Sequence, residues 1–162
     1  MTTPRWLDDV EHRAWLGYRR MSLRLDAVIA RELAADAGLS MADYDVLSSL
    51  EAADGRRVRL TALADRMLWS KGRLSRQIAR MEQRGLVRRE PTEDDARGAN
   101  VTLTAAGLKA IETAAPGHVE AVRAHFIDLL SREQLRALGD VTWTVIDHIA
   151  EAGQLPPVPP DS

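Results

Sequence analysis

The stretch LWSKGRLSRQIARMEQRGLVRRE, residues Leu68–Glu90, concentrates positive charge in a chain that is acidic overall. It holds seven Lys or Arg residues against two Glu, whereas the whole chain has a formal net charge of −2. Over Arg56–Arg97 there are twelve basic and six acidic residues, which leaves ten basic and eighteen acidic residues for the rest of the chain. A basic segment between acidic arms is expected to meet a polyanion.

The basic stretch has the pattern of an amphipathic helix. Ser70 is placed to cap its start and Gly85 to end it, which predicts a helix to about Arg84. Apolar residues at i, i+4 and i+7 form one stripe, Leu74, Ile78 and Met81. The other residues of its first turns lie off that stripe, where we expect them to be available for binding: Ser70, Lys71, Gly72, Arg73, Ser75, Arg76, Gln77 and Arg80.

A short helix and a hairpin flank this basic helix. Thr61 is the predicted N-cap of a helix from about Ala62 to Met67, which a tight break follows. After Gly85, the segments LVRRE and NVTLT alternate as strands around the turn-rich PTEDDARGAN, which predicts a β-hairpin. This order of elements predicts a helix-turn-helix whose second helix enters the DNA major groove, while the hairpin reaches an adjacent minor groove.

The residue types in these elements suit contact with double-stranded DNA. Arg can pair bidentately with guanine and Gln with adenine, so Arg73, Arg76 and Gln77 are candidate base readers facing solvent. Free N–H groups at a helix start can bind a phosphate. At the hairpin tip, Asp95 can aim the side chain of Arg97 by a charge-assisted hydrogen bond. Each feature alone is common on solvated surfaces, and it is their order along the chain that favours DNA binding.

The segment before the basic helix predicts two further helices. Residues 8–35 follow helical spacing, and Gly38 ends the pattern. Ser40 and Asp43, three residues apart, form a capping box, which predicts a second helix that ends near residue 53.

Two helices are also predicted after the hairpin. Thr104 can cap the first of them, and Pro116 within it predicts a kink near Ala115. Ser131 and Gln134 form a second capping box, which begins a last helix to about residue 152.

The helices predicted before and after the helix-turn-helix and hairpin carry more apolar residues than a single chain can bury. Near the C-terminus these residues are Phe126, Leu129, Leu130, Leu135, Leu138, Val141, Val145 and Ile149. Isologous pairing of two chains would bury them and repeat the basic helix by two-fold symmetry. The sequence therefore predicts a homodimer whose basic helices lie about one DNA turn apart, roughly 34–36 Å.

Composition excludes several classes of function. The absence of cysteine excludes disulfides, thiolate metal sites and cysteine nucleophiles. No apolar run approaches the roughly 20 residues of a membrane span, and a cytoplasmic location is expected. No catalytic constellation or nucleotide fingerprint is present, so we expect neither an enzyme nor a cofactor. His118 and His125 could share a helix face, but without a nearby cluster of carboxylates and histidines no metal site is predicted.

Three segments resemble the MarR family of winged helix-turn-helix transcription regulators: LTALADRM, SKGRLSRQIARMEQRGLVRRE and DDARGANVTLTAAG. The last of them matches the family's wing pattern, in which Asp-x-Arg and a short strand precede Leu-Thr at a helix start. The resemblance extends over nearly the whole chain. It implies that Asp95 and Arg97 are wing contacts. On the recognition helix it implies contacts by Arg73, Ser75, Arg76 and Gln77.

The resemblance implies a mainly α fold with a small β-hairpin wing. Residues 37–104 would form the winged helix-turn-helix domain, residues 1–36 and 105–152 the helical dimerisation arms, and residues 153–162 a flexible proline-rich tail. It also implies a homodimeric repressor of a palindromic operator, released by a small phenolic or aromatic effector. The candidate effector contacts are Trp15, Tyr18, Arg19 and Tyr44. The residues leave one alternative open, a protein-interaction module whose basic helix docks an acidic partner.

Overall fold

The structure is a computed structural model that describes residues 4–92, 98–153 and 155. Its helices and strands, in chain order, are α1 (Asp9–Ala37), α2 (Met41–Glu51), β1 (Arg57–Arg59), α3 (Leu60–Arg66), α4 (Lys71–Gln83), β2 (Val87–Pro91), β3 (Ala99–Leu103), α5 (Ala105–His125) and α6 (Arg132–Glu151). This mainly helical chain with a small antiparallel sheet confirms the predicted fold class. Within the described residues, no helix has the length and apolar character needed to cross a membrane.

Serine side chains cap the N-termini of three helices, as predicted. The Ser40 hydroxyl accepts a hydrogen bond from the Asp43 N–H at 3.1 Å, and Asp43 Oδ2 accepts one from the Ser40 N–H at 2.9 Å. Ser70 caps α4, and Ser131 forms the predicted capping box of α6 with Gln134. These starts could be predicted because a capping bond joins residues only two or three positions apart.

Two features of the helices differ from the sequence pattern. α3 begins at Leu60 without a side-chain cap, so the predicted cap at Thr61 is wrong. The reason is that β1 ends at Arg59 and the chain turns directly into α3, which places Thr61 inside the first turn. α5 continues through Pro116 as one helix, so the proline does not split it, and the kink stays a prediction.

The wing is a three-stranded antiparallel sheet in the order β1-β3-β2. β2 and β3 form the predicted hairpin, with Arg89 opposite Val101. β1 pairs with the other edge of β3, where Val58 lies opposite Val101. The predicted hairpin-tip contacts, Asp95 and Arg97, lie outside the described residues.

The wing joins α5 at a contact that requires a glycine. A Cβ on Gly107 would lie 2.0 Å from the carbonyl oxygen of Leu86, far inside van der Waals contact. Thr104 fastens the same junction, because its hydroxyl donates to the Gly85 carbonyl at 2.6 Å and accepts from the Gly107 N–H at 3.0 Å. Thr104 is therefore the predicted cap of α5 and also ties this helix to the wing.

Candidate nucleic-acid interface

The two faces of α4 differ sharply in burial. Leu74, Ile78 and Met81 are completely buried in the core of the domain, which confirms the predicted apolar stripe. The opposite face is exposed and carries most of the predicted contacts, Lys71, Gly72, Arg73, Arg76 and Arg80. The helix is thus anchored on one side and exposes four cations, Lys71, Arg73, Arg76 and Arg80.

The first turn of α4 is arranged around Trp69, which lies in the break between α3 and α4. The guanidinium carbon of Arg73 lies 4.0 Å from the centroid of the Trp69 ring. The Ser70 hydroxyl accepts a hydrogen bond from the Arg73 N–H at 3.3 Å, so its first role is to cap the helix. At Gly72 a Cβ would meet only the end of the Arg76 side chain, at 3.6 Å, so the free protein leaves space there.

The structure corrects the prediction for Gln77, which does not face solvent. Its side chain is only 4% exposed, and its Nε2 donates a hydrogen bond to Asp43 Oδ1 at 2.7 Å. Its Oε1 accepts a hydrogen bond from Arg80 Nη2. Both ends of the amide are engaged inside the protein, so Gln77 is not available to read adenine in this conformation.

Gln77 belongs to a polar cluster that the sequence did not reveal, formed by Asp43, Gln77, Arg80 and Arg84. Arg84 donates to Asp43 Oδ2 at 2.8 Å and to the Gly38 carbonyl at 2.9 Å. Burial alone would raise the pKa of Asp43, but hydrogen bonds from Ser40 and Arg84 outweigh it and lower that pKa. The cluster fixes α4 against the turn that joins α1 and α2.

Ser75 faces the wing and not the cationic surface of α4. It is half-buried, and Arg89 Nη2 donates to its carbonyl oxygen at 2.6 Å and to its hydroxyl at 3.3 Å. Arg89 also forms a 3.3 Å ion pair with Glu82 on α4. Arg89 therefore joins strand β2 to α4. Within the basic stretch, Arg80, Arg84 and Arg89 all bond to other residues of the domain.

The four candidate effector contacts fall into two separate groups in one chain. On α1 the ring centroids of Trp15 and Tyr18 lie 6.0 Å apart, and the guanidinium carbon of Arg19 lies 5.8 Å from the centroid of the Trp15 ring. All three residues are exposed. Tyr44 instead packs on α5, where its ring lies 4.3 Å from that of His118. The four residues therefore do not line one common pocket within a single chain.

The histidines weighed as a metal pair have different neighbours. His125 Nε2 lies 2.6 Å from Glu32 Oε1, while His118 stacks on Tyr44. Burial lowers the pKa of His118, and the charge of Asp45 opposes that effect. Among the described residues, no group of three potential metal ligands comes together.

Comparison with known proteins points in one direction. A model of the MarR family matches residues 37–98. The transcriptional regulator HosA of Escherichia coli is 36% identical over 96 residues, which cover 59% of this chain and 69% of HosA. The crystal structure of AbsC, a MarR family transcriptional regulator from Streptomyces coelicolor, is 40% identical with a TM-score of 0.85, and the match covers 91% of this chain and 99% of AbsC. Sco3205 from the same organism, solved in complex with DNA, is 37% identical with a TM-score of 0.86, covering 91% and 92%.

Proposed function

The chain belongs to the MarR family of transcriptional regulators, and from this premise we propose that it is a homodimer that binds a two-fold symmetric DNA operator through α4 and the wing. Membership confirms the resemblance drawn from the sequence. It also confirms the prediction that the chain is not an enzyme, since the relatives it matches are transcriptional regulators. The cytoplasmic location expected from the sequence is part of the same proposal.

The observation that carries the DNA-binding proposal is the exposed cationic face of α4. Lys71, Arg73, Arg76 and Arg80 are exposed while the apolar stripe of the same helix is completely buried, so the helix can enter a groove without giving up its packing. The DNA complex of Sco3205, which is 37% identical, supports the same use of this fold. With Gln77 and Ser75 turned inward, we assign base reading to Arg73 and Arg76 and phosphate contact to Lys71 and the start of the helix.

The homodimer proposal rests on helices that lack partners within one chain. The structure describes every residue of α6, and none of them is buried, although one face of this helix is apolar. Half-buried Leu135, Leu138 and Ile149 lie beside exposed Val145 on that face. The first half of α1 is equally uncovered and exposes Val10, Trp15 and Tyr18. Two chains paired through α1 and α6 would cover both faces at once.

Release by a small aromatic or phenolic effector is the finer part of the proposal. Tyr44 and His118 lie where α2 of the winged domain meets α5 of the dimerisation arm. A ligand at this point would contact both helices. Trp15, Tyr18 and Arg19 would join such a site only from the arms of the dimer. The test titrates simple phenols while both Trp fluorescence and operator occupancy are recorded. A ligand that quenches fluorescence but leaves the operator occupied would contradict an effector role.

The remaining alternative is a module whose basic helix docks an acidic protein, and salt dependence separates it from DNA binding. Affinity for a pool of random duplexes should fall steeply as salt rises, with a log–log slope near −0.9 for each phosphate contact. Lys71→Ala, which removes a proposed phosphate contact, should weaken that binding and reduce the slope. Arg136→Ala, which removes a cation from the far side of α6, should leave both unchanged. Binding to an acidic protein that excess competitor DNA does not displace would support the protein-docking alternative instead.

A further inference from the structure

We propose that Trp69 is a positioning residue for base recognition, which holds the guanidinium of Arg73 ready to read a base. This inference rests on the proposed role of α4 in DNA binding. Trp69 was not among the residues singled out for DNA contact from the sequence.

Trp69 is fixed on several sides. Its backbone N–H donates to the Ala64 carbonyl at 2.9 Å, which ties it to the end of α3. Leu68 before it adopts a left-handed conformation with a φ of 52°, which a residue other than glycine seldom takes. The ring is half-buried and packs against the hydrophobic core of the domain. The Trp69 ring thus packs against the domain on one face.

Arg73 lies over the Trp69 ring. A cation this close to an indole face, 4.0 Å from the centroid, is attracted by the negative charge over the ring. A guanidinium stacked in this way still has its N–H edge free, and that edge makes the bidentate contact to guanine. Because the side chain is already ordered before DNA arrives, less rotamer freedom is lost on binding.

Arg76 provides a matched comparison on the same face of α4. It is exposed one turn further along, and among the described residues it is Arg73, not Arg76, that stacks on an aromatic ring. A change at Trp69 should therefore alter discrimination at the base pair read by Arg73 and spare the one read by Arg76.

The experiment uses the full chain and a duplex that the wild-type protein selects from a random pool. Affinities are measured for that duplex, for its single-base-pair variants and for unselected random duplex. The proteins compared are the wild type, Trp69→Leu, Trp69→Phe, Arg73→Ala, Arg76→Ala and the Trp69→Leu/Arg73→Ala double variant.

Trp69→Leu keeps an apolar side chain but removes the π face. We expect it to lower affinity for the selected duplex by about two- to thirty-fold. Discrimination should flatten at the base pairs that Arg73→Ala also flattens. Affinity for unselected duplex and the salt slope should stay unchanged, because no phosphate contact is lost. The double variant should lose no more than Arg73→Ala alone, and Trp69→Phe should keep most of the discrimination.

Three results would overturn the inference while leaving the proposed function standing. The first is that Trp69→Leu discriminates between base pairs as well as the wild type does. The second is that Trp69→Leu loses as much affinity for unselected as for selected duplex. The third is that the double variant loses the sum of the two single losses. If Trp69→Leu does not fold, Trp69→Met takes its place, because a flexible apolar side chain fills the same space without a π face. Discrimination retained in a folded Trp69→Met protein would also overturn the inference. If the wild-type protein selects no sequence at all, the proposed function itself fails.

Discussion

At the scale of single residues, the buried carboxylate of Asp43 links α4 to the rest of the domain. It is 4% exposed and accepts hydrogen bonds from Gln77 and Arg84 as well as from Ser40. A buried charge is costly unless it is paired and hydrogen-bonded, so each partner matters to the fold. This residue also gives the stability of the protein a defined dependence on pH.

Asp43→Asn should lower the free energy of unfolding at pH 7 by about 1.5–3 kcal/mol, because it removes a buried charge that accepts hydrogen bonds from Gln77, Arg84 and Ser40. The pKa of Asp43 is lower in the folded protein than its ordinary value of 3.8. The unfolded chain therefore binds this proton more readily, and the carboxylate stabilises the fold above pH 3.8. That contribution is lost as the pH falls through the folded pKa.

Urea unfolding of the wild type and Asp43→Asn between pH 7 and pH 2.5 measures this effect. The difference between the two proteins should shrink as the pH drops below the ordinary carboxyl pKa. Glu112→Gln, an exposed change in the middle of α5, serves as the control and should shift stability by less than about 0.5 kcal/mol. A difference that stays constant down to the lowest pH would show that Asp43 is not the group responsible.

At the scale of elements, the junction of the wing with α5 depends on Gly107. Gly107→Ala should destabilise the fold by about 1–3 kcal/mol or more, because the new Cβ would lie 2.0 Å from the Leu86 carbonyl oxygen. Gly117→Ala on the same helix is the matched control, since a Cβ there meets nothing within 4 Å. It should stabilise the helix by up to about 1 kcal/mol. Thermal unfolding of the two variants compares them, and shifts of the same sign would contradict this account of the junction.

Elements whose signals are local were the ones that the sequence predicted well. The caps at Ser40, Ser70 and Ser131 each join residues three positions apart, and the buried stripe of α4 follows from helical spacing alone. The burial of Gln77 could not be predicted in this way, because its partner Asp43 is 34 positions away. The Arg73–Trp69 stacking was missed for another reason: Trp69 lies in the break before the helix, where periodicity carries no information.

At the scale of the whole molecule, the proposed homodimer would set the two copies of α4 at a fixed spacing. Val145→Asp places a charge on the apolar face of α6, where the side chain is 52% exposed in one chain. This change should leave the fold of a single chain intact but separate the dimer into chains of 17.9 kDa. Arg136→Asp, on the opposite face of α6, is the control and should remain dimeric. Sedimentation velocity distinguishes the two, and a wild type that is monomeric at all concentrations would refute the dimer.

The most direct test of the central claim is selection from a pool of random duplex DNA by the purified wild-type protein. We expect one two-fold symmetric site to emerge, with half-sites about one helical turn apart, roughly 34–36 Å. Arg73→Ala and Arg76→Ala should each relax discrimination at particular base pairs by about 1–3 kcal/mol. Failure to enrich any sequence, or enrichment of a site without symmetry, would contradict the claim that this chain reads DNA as a homodimer through α4.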